Sequence, residues 1–165
     1  MPRISTNRKL AAFLDLIAAS EGTSTATHTR DDGYDIIVDG VDGQHAFSDY
    51  SAHPFSNGRP PIKVKNAPKL LYSTASGRYQ ITLHTWQTLT MNSSRGTFSP
   101  RDQDVAAVQM LAECHAIDFI NASKIACAIK AASETWTRFK ADEHSQGGRA
   151  LDWLLETYTK LLSAN

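Results

Sequence analysis

The chain has 165 residues, 41% of them hydrophobic and 21% charged, the profile of a globular protein with a single substantial core. Its formal net charge is zero, which argues against a nucleic-acid binder, since phosphate backbones demand a basic stripe. No run reaches the roughly 18 apolar residues of a membrane span, and the opening "MPRISTNRK" lacks a signal-peptide pattern, so the sequence predicts synthesis in a cytoplasm without stable membrane association.

A first helix is predicted from about Thr6 to Glu21, with Thr6 or Asn7 as N-cap and Gly22 as its stop. Leu10, Leu14, Ile17 and Glu21 recur along it at spacings of four, three and four. At about 100° per residue these lie at roughly 0°, 40°, 340° and 20°, which puts a carboxylate in the middle of an apolar stripe. Apolar surroundings and the negative end of the helix both favour the protonated acid. An acid that keeps its proton near neutral pH suits general-acid cleavage of a glycosidic bond. The spacing equally allows a glutamate that ends the helix and turns to solvent.

Residues 33–50 change character. "YDIIV" and "HAFSDY" flank "DGVDG", and the pattern predicts a small β-hairpin or three-stranded sheet. The aspartates of this region, Asp31, Asp32, Asp35, Asp39, Asp42 and Asp49, read mainly as turn formers. His45 and His53 flank Asp49 at spacings of four, a ligand pattern only on a helix, so no metal site is expected. Residues 51–75 hold four of the six prolines and predict a long, semi-rigid loop carrying Arg59, Lys63, Lys65 and Lys69.

Helices follow. "GRYQITLHTWQTL" predicts one with Tyr79, Leu83 and Trp86 on a face, and "SPRDQDVAAVQML" another with Ser99 as N-cap and Pro100 at its first position. "SKIACAIKAAS" predicts a third. Residues 140–149 read as a polar loop. A final helix carries the stripe Leu151, Leu154, Leu155, Tyr158, Leu161 and Leu162. Cys114 and Cys127 read as buried free thiols, a disulfide requiring their Cα atoms to come within about 7 Å. Trp136 reads as core. The layout is α+β with helices dominating, and a small sheet beside a helical lobe leaves a groove between them.

Several blocks occur together in fixed order: "RKLAAFLDLIAASEGT", "TRDDGYDIIVDG", "FSDYSAHP", "GRYQI" and "FSPRDQDVAAVQ". In this order the chain resembles the phage lambda type of endolysin, a small lysozyme-like lytic transglycosylase. The likeness spans nearly the whole chain and is looser from Lys124 on. It implies a single catalytic domain over 1–165, mainly helical, with a small antiparallel β-lobe at about 30–75 and a substrate cleft between the lobes. It implies cleavage of the β-1,4 bond between N-acetylmuramic acid and N-acetylglucosamine in peptidoglycan, with no metal or cofactor.

The resemblance also assigns residues. The catalytic acid of "SEG" falls on Glu21. Tyr34 and Asp35 of "GYD" become substrate-binding candidates, as do Ser76, Gly77, Tyr79 and Gln80. Gln80 resembles a glutamine that faces substrate, and Tyr79 would stack on or border a sugar; core packing for Tyr79, helix capping for Gln80 and turn geometry for Ser76 and Gly77 are the plainer alternatives. The stretches 51–75 and 138–149 become lips of the groove, whose basic residues could attract the carboxylates of peptidoglycan stems. The implied partner is the glycan strand, and the implied state is a monomer. The implied location is the host cytoplasm until a separate holin releases the protein to the wall. A hydrolytic muramidase on the same bond and a catalytically silent wall-binding domain are the competing readings.

Overall fold

The computed structural model describes residues 1–66, 68–91, 96–140 and 149–165. Its elements are α1 (Arg8–Glu21), β1 (Ile36–Gly40), β2 (Gly43–Ala46), β3 (Ile62–Lys65), β4 (Leu71–Ser73), α2 (Leu83–Thr90), α3 (Pro100–Glu113), α4 (Ala116–Asn121), α5 (Ile125–Ala132), a 3₁₀ turn (Thr137–Phe139) and α6 (Leu151–Ala164). They form two compact units: Met1–Glu21 with Ala107–Asn165, and Gly22–Ala106. No helix among the described residues is long and apolar enough to cross a membrane.

The first unit is helical. Asn7 caps α1, its side-chain oxygen accepting the Leu10 N–H at 2.9 Å, and Gly22 leaves the helix at φ +76°, where a side chain would be strained. Leu14 and Ile17 are fully buried. Phe13 meets the rings of Phe139 and Tyr158 edge to face at 5.9 and 6.3 Å. α6 buries Leu154 and Tyr158 of its predicted stripe, and Trp136 is core as expected, at 3% exposure. Cys114 is half-buried and Cys127 exposed, which corrects the reading of both thiols as buried. The short α4, entered through a left-handed His115, was not foreseen.

The second unit holds the sheets. β1 and β2 form the predicted antiparallel hairpin, with Ile36 opposite Ala46 and an irregularity between Ile37 and Gly40. The stretch 51–75 is not one loop: β3 and β4 pair antiparallel within it, Ile62 opposite Ser73. The prolines bracket that hairpin rather than prevent it, because Pro61 stands just before β3 and Pro68 lies in the turn, where no ladder N–H is required. The sheets meet where the Val41 N–H donates to the Lys63 carbonyl at 2.9 Å.

An aromatic cluster forms the base of this unit. Phe98 lies 4.9 Å from Trp86 and 4.6 Å from His53, ring centre to ring centre. The His53 ring is committed at both nitrogens. Nδ1 accepts the Phe55 N–H at 3.3 Å, which leaves Nε2 to donate to the Ile81 carbonyl at 3.0 Å. Burial holds this imidazole below its ordinary pKa. α3 begins as predicted, with Ser99 Oγ accepting the Asp102 N–H at 3.2 Å and Pro100 in first position.

Candidate active site

Glu21 closes α1 with its side chain only 11% exposed. The open alternative, an acid turned out to water, is excluded by that burial. Burial is the main cause that pushes its pKa up to about 7 from the ordinary 4.5; the charge and hydrogen bond of Arg138, and the charge of Arg149, oppose the rise. Arg138 Nε donates to Glu21 Oε2 at 3.1 Å. That bond uses Oε2 as an acceptor and so favours Oε1 as the oxygen that carries the proton of the neutral acid. Arg138 comes from the 3₁₀ turn, itself held by the Arg149 N–H donating to the Arg138 carbonyl at 2.9 Å. Sequence reasoning missed Arg138, whose short irregular turn carries no periodic signal. The predicted loop 140–149 lies outside the described residues at 141–148.

The second unit gathers the remaining candidates around the "SGRYQ" segment. This segment is not the start of a helix, as the sequence suggested. Ser76 and Ile81 bridge each other across a tight turn, with Gly77 at φ +75° and Gln80 at φ +51°. Helix α2 starts only at Leu83, capped by Thr82, whose hydroxyl accepts the Thr85 N–H at 3.2 Å. Gln80 therefore caps no helix. Its side-chain amide donates to the Gly77 carbonyl at 3.1 Å, and it holds a left-handed backbone that a non-glycine residue adopts only when its surroundings impose it.

Tyr34 and Tyr79 are fully buried and expose no face on which a sugar could stack. Their hydroxyls converge on one acceptor, Asp104 Oδ1, at 2.7 and 2.6 Å. Burial and the Asp104 charge hold Tyr34 well above its ordinary pKa; burial, then Tyr34 and Asp104, do the same for Tyr79. Both phenols thus stay protonated as donors. Arg78, 2% exposed, pairs with Asp32 at 2.7 Å and lies 5.2 Å over the Tyr34 ring.

Gln103 locks the turn from α3. Its Oε1 accepts the Arg78 N–H at 3.0 Å, while its Nε2 donates to the Tyr34 and Phe98 carbonyls at 3.0 and 2.9 Å. A Cβ at position 77 would lie 2.1 Å from Gln103 Oε1, so glycine is required there by contact as well as by backbone angle. Ser76 is fully buried. Asp35 is buried and structural, accepting the Thr29 hydroxyl at 2.6 Å and the Arg30 N–H at 2.8 Å. Of the substrate-binding candidates, Tyr34, Asp35, Ser76 and Tyr79 are thus interior supports, and Gln80 alone presents a partly exposed side chain. Gln103 and Asp104 lie inside a quoted block, but no periodic or capping signal in the sequence singles them out.

The endolysin family model matches residues 11–164. The endolysin of Escherichia phage P2 is 40% identical over 159 residues, covering 96% of this chain and 95% of that protein. The endolysin of Escherichia phage lambda is 33% identical over 156 residues, covering 94% and 92%. The structure of bacteriophage lambda lysozyme complexed with a chitohexasaccharide superposes with a TM-score of 0.82 at 33% identity, covering 96% of each chain. The α+β architecture is thereby lysozyme-like, and the chain belongs to the endolysin family, of the phage lambda type.

Proposed function

We propose that this endolysin is a peptidoglycan lytic transglycosylase with Glu21 as both its acid and its base. The observation that carries the reading is a buried carboxyl, pushed up to about 7, at the end of an apolar helix face and held by one arginine. The lambda lysozyme complex with a chitohexasaccharide supports a β-1,4-linked glycan as substrate.

Glu21 Oε1 gives its proton to the bridging oxygen as the bond from that oxygen to C1 of the muramic sugar breaks. Negative charge then develops on the carboxylate, and Arg138, 3.1 Å away, stabilises it. The C6 hydroxyl of the same sugar attacks the oxocarbenium-like C1 and yields its proton to Glu21. The product is a 1,6-anhydro sugar, and the enzyme returns to its starting protonation state. Because the nucleophile belongs to the substrate, one carboxyl serves both half-steps; a hydrolase of the usual kind needs a second carboxylate.

Mass spectrometry of soluble muropeptides is the test. Anhydro ends are expected; reducing ends, heavier by one water, would assign a hydrolytic muramidase. Glu21→Gln is expected to cut lysis of outer-membrane-permeabilised Gram-negative cells by at least about 100-fold with its circular dichroism intact. Full lysis by that variant would remove Glu21 from the role. We further infer that the protein acts as a monomer and waits in the host cytoplasm for a holin: expressed alone, it should accumulate without lysis until the membrane is permeabilised.

A further inference from the structure

A recess lies within the Gly22–Ala106 unit. Two adjoining hollows of about 500 and 390 Å³ share Phe47, Asp49 and Arg59 and so form one groove. Arg30 and His28 line its larger part, together with Asp35. The volume suits a small ligand of several groups rather than a single ion.

Its chemistry is mixed in a particular way. Arg30 and Arg59 are exposed guanidiniums, and neither has an ion-pair partner among the described residues. Arg59 lies 5.9 Å over the Phe55 ring, which orients its planar fork. A fork of this kind pairs with a carboxylate through two parallel hydrogen bonds. Beside these cations stands one exposed acid, Asp49, whose Oδ1 accepts the Ser51 N–H at 2.8 Å; Asp35 is interior, its oxygens taken by Thr29 and Arg30. Phe47 supplies an apolar wall and is steadied by Tyr50 at 5.2 Å and Phe98 at 6.0 Å.

Two guanidiniums with no ion-pair partner among the described residues call for carboxylates, Asp49 calls for an ammonium and disfavours a pure polyanion, and the ring calls for an apolar group. A neutral sugar chain can stack on the ring but supplies neither a carboxylate nor an ammonium. We propose that this groove binds the stem peptide of peptidoglycan, a short peptide with free carboxylates, an ammonium and an aliphatic diamino-acid chain. The inference rests on the peptidoglycan reading above and extends it from the glycan to the peptide attached to it.

The test needs no turnover. The full chain is titrated with the tripeptide L-Ala–γ-D-Glu–meso-diaminopimelate and followed by amide chemical shifts. Saturable shifts are expected at Arg30, Phe47 and Arg59, with at least about tenfold weaker binding in the Arg30→Gln/Arg59→Gln variant. Both arginines are exposed, so the core is untouched. Absence of binding at millimolar peptide, equal binding by the variant, or equal affinity for inorganic phosphate would each overturn the proposal. A second arm compares glycan strands that bear stems with strands stripped by an amidase. The variant should show a KM raised about tenfold on the first and unchanged on the second. An equal rise on both would assign the groove to glycan and also overturn it. Should the chain prove not to cleave glycan, the titration still decides the peptide site on its own.

Discussion

At the scale of single residues, the Glu21 carboxyl and the Arg138 guanidinium set each other's work. Arg138 lowers the Glu21 pKa against the larger effect of burial. Replacing it by glutamine removes that opposition, so Glu21 keeps its proton to still higher pH. The alkaline limb of the lytic pH profile, expected near 7 for the native protein, should move up by about 1 unit in Arg138→Gln. The rate at the optimum should fall, because the carboxylate formed in the first half-step loses its partner. Stability provides an independent check. Between the ordinary 4.5 and about 7 the folded chain retains a proton that the unfolded chain has released, so Glu21 makes stability fall as pH rises through that window. Glu21→Gln removes this slope and should be more stable than the native chain at pH 8 by up to roughly 3 kcal/mol, with little difference near pH 4. Paired thermal melts at the two pH values measure it.

At the scale of elements, the turn from Ser76 to Ile81 stands out because its shape is imposed from outside. Gly77 and Gln80 are both left-handed, and the Gln103 amide reaches three backbone groups from α3. Gly77→Ala must both adopt an unfavourable backbone angle and displace a fully bonded, buried amide. A loss of about 2–4 kcal/mol is expected, read as a lower urea midpoint with unchanged slope. Gln103→Ala removes the obstacle as well as the bonds. The double variant should therefore lose less than the sum of the two single losses.

At the scale of the whole molecule, what the sequence made legible was local. The 3.6-residue period exposed the buried acid of α1, and the Ser99–Pro100 pair marked the start of α3 through capping chemistry that needs only neighbours. Position 77 reads as a turn from sequence, but the surrounding segment reads as a helix because Tyr79, Leu83 and Trp86 share a spacing that the left-handed Gln80 interrupts. Within each unit, the contacts that hold the candidate residues join positions far apart along the chain. Arg138 reaches Glu21 across 117 positions, and Gln103 reaches Tyr34 across 69. Periodicity carries no information at such separations. The β3–β4 hairpin was hidden for a different reason: four prolines outweighed the short alternation "IKVK", although none of them sits at a position where the ladder needs a donor.

The His53 ring has no vacancy for a second proton. Charging it would aim a new N–H from Nδ1 at the Phe55 N–H it now receives, beneath the rings of Phe98 and Phe55. Its depressed pKa means that the unfolded chain takes up the proton first, so the contribution of His53 is complete above about 6.5 and is lost as pH falls below that value. Glu21 tilts the other way. Between about 4.5 and 6.5 the two slopes oppose each other, so His53→Gln should steepen the fall of melting temperature with rising pH, and Glu21→Gln should turn it into a rise that ends near 6.5.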